Sequence, residues 1–230
     1  MEQEKTPGEI KMQALKTLKG NWKNSLAVVI LAFFITSSLT AYDTLLIMAS
    51  DNPLAATQPS AISTMASIQS LLLTGPVSYG LAKFFLHVRG DKETEIVLLF
   101  SGFKKFLKTF LCSFIQSIFV LLWSFLLIIP GIIAAISYSQ AFYLMTRHDG
   151  LGPMEAIEMS KEMMRGHKSR YFVLLLSFIG WFLLSFLTLG LVYLFLGPYY
   201  NRTMAVFHEN LYKITPDHIK SKYIKEIPSE

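Results

Sequence analysis

The chain has 230 residues, 52% hydrophobic and only 16% charged, with a formal net charge of +5 and a single cysteine. Soluble domains usually carry about 25% charged residues, so one water-surrounded core is the wrong organising principle. The basic residues flank apolar runs and form no stripe interleaved with aromatics, which argues for topology signals and lipid headgroups and against nucleic acid. Cys112 lies inside an apolar run, cannot form an intrachain disulfide, and reads as a small buried hydrophobe.

Residues 1–24 read as a cytoplasmic amphipathic segment. Thr6-Pro7-Gly8-Glu9 has the form of a capping box, with Ile10, Ala14, Leu15 and Leu18 on one arc and Gly20 closing the helix. Such a helix is expected to lie in the headgroup layer, because a span follows at once. The first apolar run starts too late for a cleavable signal peptide and ends without an A-x-A-like site. The membrane domain is expected over residues 25–212. Ser25 to about Met48 is span one, Ser50–Pro59 a polar loop, and Ala61 to about His87 span two. The Ser/Thr/Ala-rich first half of span two and its Gly75-Pro76 interruption also allow a loop or re-entrant start, although small polar residues are normal where membrane helices pack closely.

Arg89–Lys108 is expected on the cytoplasmic side, with a short amphipathic piece around Glu95–Phe100. From Thr109 to Thr146 the chain carries no Asp, Glu, Lys, Arg or His. One helix of that length would run about 57 Å at 1.5 Å per residue, against a hydrocarbon core of about 30 Å. The run therefore predicts a transmembrane hairpin, spans three and four, with Pro130-Gly131 at its tip. Pro153 to Gly166 predicts a second interfacial helix. Met154, Ala156, Ile157, Met159, Met163 and Met164 share one arc, acids come early and bases late. Tyr171–Asn201 is again free of charge and supplies span five and most of span six, turning at Thr188-Leu189-Gly190. Residues 213–230 form a polar, basic tail on the cytoplasmic side. The loops at Ser50–Pro59, Pro130-Gly131 and Leu189-Gly190 contain no Lys or Arg, so the positive-inside rule puts both termini in the cytoplasm.

Spans one, three and five are preceded by a similar pattern of amphipathic helix, Gly and basic cluster: Gly20-Asn21-Trp22-Lys23, Gly102-Phe103-Lys104-Lys105 and Gly166-His167-Lys168. Three copies of one unit, a surface helix plus a membrane hairpin, are one reading. Ordinary helix-terminus chemistry is the other.

Several segments together resemble a known family. They are Gly75-Pro76-Val77-Ser78-Tyr79-Gly80, Leu99-Phe100-Ser101-Gly102-Phe103, Ile128-Ile129-Pro130-Gly131-Ile132, Ser160-Lys161-Glu162-Met163-Met164-Arg165-Gly166-His167-Lys168 and Phe178-Ile179-Gly180-Trp181. The resemblance is to six-span integral membrane proteins of Gram-positive bacteria known only as a domain of unknown function. More distantly, the layout is similar to the membrane region attached to some glycerophosphodiester phosphodiesterases. That implies a lipid or envelope context and carries over no catalytic residue.

No Walker-type, H-E-x-x-H or G-x-S-x-G motif occurs, and no cofactor or metal site is expected. Two cations sit in or near spans. Lys83 is placed to snorkel, whereas Arg202 is deeper, in Tyr199-Tyr200-Asn201-Arg202, with Glu209 two turns on along the same face. An intramembrane ionisable residue is by default a site hypothesis, set here against a structural Arg that caps carbonyls. The candidate lipid or partner contacts are Arg202, Asn201, Tyr199, Lys83, Arg165 and Lys168, and the expected turns and kinks are Pro76, Pro130, Gly131 and Pro198. The sequence thus predicts an all-α polytopic membrane protein of six transmembrane helices with two or three amphipathic interfacial helices. Its expected role is a non-enzymatic cell-membrane protein contacting anionic headgroups at the cytoplasmic face or a partner membrane protein, in an oligomeric state the sequence leaves open. A small transporter or channel and an intramembrane lipid-modifying enzyme are the alternatives.

Overall fold

The computed structural model describes residues 4–50, 60–90, 94–188 and 190–224. Most of the expected polar loop after span one, and Leu189 in the expected second turn, lie outside these residues. The described chain is all helical, with no strand. In order it forms α1 (Pro7–Leu18), α2 (Trp22–Ala49), α3 (Ala61–His87), a 3-10 helix (Ile96–Lys105), α4 (Phe106–Leu126), α5 (Ile128–Tyr138), α6 (Ala141–Arg147), α7 (Pro153–Met163), α8 (Lys168–Leu187), α9 (Tyr193–Ile214) and α10 (Asp217–Tyr223). A short helix followed by an outgoing and a returning long element thus occurs three times, the middle return being split into α5 and α6. Four stretches are long and apolar enough to cross a membrane: Trp22–Ala49, Ile96–Leu126, Ile128–Arg147 and Lys168–Leu187. The returning helices α3 and α9 fall short of that measure, because hydroxyls dilute the first half of α3 and Arg202, His208 and Glu209 interrupt α9.

Local chemistry sets the helix starts. The Thr6 hydroxyl accepts the Glu9 N–H, and the Glu9 carboxylate accepts the Thr6 N–H at 2.7 Å, closing the capping box ahead of Pro7. Ser60 and Ser63 do the same for α3, and the Glu155 carboxylate accepts the Gly152 N–H ahead of Pro153 in α7. The hairpin turn falls earlier than Pro130-Gly131. Leu127 is extended (φ −164°, ψ 149°) between α4 and α5. Pro130 lies in the first turn of α5, where a missing N–H costs no hydrogen bond, and Gly131 packs on Ser124. Pro76 and Pro198 lie inside α3 and α9.

The short helices are not simply laid on a lipid surface. In α1, Ile10, Ala14 and Leu18 are buried, and the helix lies on α9 and α8, while Leu15 and Met12 are exposed. In α7, Ala156, Ile157, Met159, Met163 and Met164 are buried, packed against α4, α5, α6 and α10, and only Met154 of the expected arc remains outside. Apart from Leu15 and Met154, each apolar arc therefore belongs to the protein core. The 3-10 helix wedges against α3 backbone to backbone. A Cβ on Gly80 would stand 1.8 Å from the Leu99 carbonyl oxygen, and one on Gly102 would stand 2.0 Å from that of Pro76. Glycine is required at both positions by this approach.

Burial is uneven along the long helices. It is concentrated in the first turns of α2, α4 and α8 and the last turns of α3 and α9, at the end where α1, the 3-10 helix and α7 gather. At the opposite end, Phe125, Leu126, Leu127, Ile128, Phe186 and Leu187 are all exposed apolar side chains.

Candidate functional site

Arg202 is the largest wholly buried polar side chain, 1% exposed. Its Nη1 donates to the Phe85 carbonyl oxygen (2.7 Å) and to Glu209 Oε1 (3.0 Å), and its Nε donates to the Thr17 hydroxyl (2.8 Å). Phe85 is in the last turn of α3, whose terminal carbonyls have no partner within the helix. The guanidinium caps that end, its charge aligned with the negative pole of the helix. The Thr17 hydrogen is already directed to the carbonyls of Gln13 and Ala14, so its oxygen is free to accept. One side chain of α9 thereby ties α1 and α3 together.

A second tie holds the N-terminus. Arg170 pairs through Nη1 with Glu4 and through Nη2 with the Asn210 side-chain oxygen, and lies over the Phe207 ring. His167 Nδ1 also reaches Glu4, at 2.8 Å. Hydrogen bonds from Arg170, then from His167, hold the Glu4 carboxyl below its ordinary value. Nearby, Gln140 sits at the α5–α6 break, its N–H donating to Ser160 Oγ (3.1 Å) while its side-chain oxygen meets His208 Nδ1 (3.2 Å). His208 is fully buried, stacked on Tyr143, and its Nε2 has no partner among the described residues.

The basic rim surrounds these ties. Lys105 bonds Asp149 at 2.6 Å, and that bond leads the causes that depress the Asp149 carboxyl, with Lys83 and Lys108 contributing charge. Lys83 and Lys168 are half-buried and Arg165 is exposed at the α7–α8 turn. Tyr199 is half-buried, its ring edge-on to Phe178, and the Asn201 amide donates to the Gly197 carbonyl. The sequence candidates are therefore not one constellation. Arg202 faces α1 and α3, Asn201 lines a cavity beside α2 and α3, and Arg165 and Lys168 sit at the rim. Among the described residues no group of three or more His, Cys, Asp and Glu is placed to hold a metal.

Two adjoining cavities open in the other half of the molecule. One, about 590 Å³, lies between α2, α3 and α4 and is lined by Thr40, Asp43, Ser63, Ser67, Ser70 and Thr74, among others. The second, about 370 Å³, shares Ser70 and Thr74 and runs on past Thr36 and Ser78 to Asn201. Sequence reasoning treated the α3 hydroxyls as packing residues. Their spacing, Ser63, Ser67, Ser70, Thr74, already places them on one helix face.

The family model described as protein of unknown function (DUF975) matches residues 1–137 and 125–215, and the chain belongs to that family. No curated protein and no solved structure matches the chain.

Proposed function

We infer that this chain, as a member of that uncharacterised family, is a non-enzymatic integral membrane protein of the cell envelope whose basic end binds anionic lipid headgroups. It crosses the membrane six times with both termini in the cytoplasm. The observation that carries this reading is the distribution of charge along the antiparallel long helices. Lys and Arg gather where α2, α4 and α8 begin and α3, α6 and α9 end, and none is found at Ser50, Ser60, Leu126–Ile128 or Thr188–Val192 among the described residues. Exposed leucines, isoleucines and phenylalanines cover the intervening helix surfaces, a distribution suited to lipid and positive-inside topology. In this reading Lys83, Arg165 and Lys168 touch headgroups, Tyr199 and Asn201 lie deeper along α9, and Arg202 serves as an internal tie.

Two readouts test it. In a Cys112→Ser background, an impermeant thiol reagent on intact cells is expected to label Asn52→Cys and to spare Gly150→Cys; labelling of both, or the reverse, removes the six-span arrangement. In native mass spectrometry, Arg165→Glu with Lys168→Glu is expected to lose retained phosphatidylglycerol. Unchanged retention removes the headgroup reading. The alternative of a small transporter is favoured by one observation, the pair of hydroxyl-lined cavities among α2, α3 and α4.

A further inference from the structure

Small hydroxyl residues in membrane helices usually let neighbouring helices approach closely. Along α3 they face open space instead: Ser67, Ser70 and Thr74 are exposed and border the two cavities that meet at Ser70 and Thr74. Several of the lining hydroxyls already donate to backbone carbonyls. Ser63 donates to the Ser60 carbonyl (2.8 Å), Ser67 to Ser63 (2.9 Å), Thr74 to Ser70 (2.6 Å) and, across the cavity, Ser117 of α4 to Ser113 (2.8 Å). Thr36 of α2 donates to Ala32 (2.9 Å), and the Asn201 amide is likewise turned to its own helix. A hydroxyl that donates to its own backbone offers only lone pairs outward. The cavity walls are therefore rich in acceptors, while Thr40, Ser70 and Ser78 can both give and accept a hydrogen bond. The one charged residue lining them is Asp43, whose Oδ1 accepts from Ser60 at 2.8 Å; no Lys, Arg or His among the described residues lines either cavity.

We propose that this cleft binds a primary ammonium group. A cation with several N–H donors matches hydroxyl oxygens, all of which can accept, beside the one carboxylate of Asp43. A bare metal ion does not. Apart from Asp43 the described lining supplies neutral oxygens, mostly hydroxyls, which are not among the carboxylate and carbonyl ligands that usually hold such ions. Anions are disfavoured by Asp43 and by a described lining that holds no cationic side chain. The group arrives either on a soluble amine or on an ethanolamine-type lipid headgroup. The apolar groove beside the second cavity, which shares Val29, Phe33 and Tyr193 with it, gives a lipid chain a place to lie.

The experiment is a thermal-shift titration of the full chain in nanodiscs of choline-headed phospholipid. Ethylammonium is expected to raise the melting temperature saturably. Tetramethylammonium, equal in charge but without N–H donors, and sodium are expected to leave it unchanged. Asp43→Asn, and separately Ser70→Val with Thr74→Val, are expected to weaken the apparent affinity at least about tenfold, the scale of one lost charge-assisted hydrogen bond, while melting without ligand stays near the parent. Should Asp43→Asn fail to fold, the double variant carries the test. An equal response to tetramethylammonium or sodium, or full affinity in the folded variants, overturns the proposal. Repeating the titration in ethanolamine-headed nanodiscs identifies the source. A curve shifted to higher ethylammonium concentration means that the lipid headgroup occupies the cleft, and an unshifted curve means that a soluble amine does.

Discussion

Replacing Arg202 separates a side chain that reaches lipid from one that holds the protein together. An Arg that merely snorkels tolerates Lys, which keeps the charge and most of the reach. The observed Arg202 uses two of its nitrogens on three partners in three directions, the Thr17 hydroxyl, the Phe85 carbonyl and Glu209. An ammonium lacks the planar fork to reach them together. Arg202→Leu leaves the end of α3 uncapped and Glu209 without its cation. Removing one partner of a buried pair costs about 3–5 kcal/mol. Glu209 is 24% exposed and can rehydrate in part, so the lower end applies, about 3 kcal/mol. For a chain of this size each kcal/mol moves the melting temperature by about 2–4 °C, giving a fall of roughly 6–12 °C. Arg202→Lys is expected to recover less than half of that. Nanodisc melting and amide exchange across α1 are the assays, since Thr17 ties α1 to the guanidinium. Parent-like melting and parent-like α1 protection in Arg202→Leu would refute the reasoning.

Other perturbations follow from single contacts. Gly80→Ala and Gly102→Ala each drive a methyl into a carbonyl oxygen and should each cost at least about 1–3 kcal/mol; Gly180→Ala, with open space at its Cβ, should melt at or slightly above the parent, and equal effects at all three positions would contradict the close approach. Ile157→Asp places an unpaired carboxylate at a position 2% exposed and should cost about 4 kcal/mol or more, seen as loss of folded protein rather than as release of one helix from the bilayer. The Glu4 carboxyl is depressed by Arg170 and His167, so its stabilisation is complete above the unfolded value of 4.5 and is lost as pH falls through the lower folded value. Exchange at the start of α1 should rise in that acid range, and Glu4→Gln should flatten the response; an identical acid response in Glu4→Gln would rule the pair out as its cause.

The helices and their order were legible because they rest on local signals. The charge-free run from Thr109 to Thr146 exceeds one span, and Thr6-Pro7-Gly8-Glu9 carries its own cap. The hairpin tip was misplaced by a few residues because Pro has two common uses. It ends one helix or begins the next, and Pro130 begins α5. The faces of α1 and α7 were legible as amphipathic, but periodicity reports only that an arc is apolar, and lipid and protein are equally apolar neighbours. That Ile157 packs on protein is a tertiary fact. The partners of Arg202 were legible only in part. Glu209 is on the same helix face, whereas Thr17 and Phe85 lie 185 and 117 positions away in sequence. The α3 hydroxyls show the same limit, since their spacing identifies a face and not the space in front of it.

The uneven packing connects these observations. At the basic end the three short helices fill the gaps between long ones; Arg202 ties α9 to α3, Gln140 meets His208 of α9 from the α5–α6 break, and Arg170 joins α8 to Glu4 and to α9. Among the described residues no short helix lies at the other end, and α8 meets mainly α9, α5 and α1. Between lipid and apolar side chain there is no hydrophobic drive to close such gaps. Pro76 and Pro198 sit on α3 and α9 where the packed half gives way to the open half, and a Pro inside a helix removes a backbone bond at that point. The chain thus joins a densely packed basic half to a half with fewer buried side chains. A ligand bridging α2, α3 and α4 would sit in the less packed half, away from the contacts of Arg202 with Thr17 and Phe85.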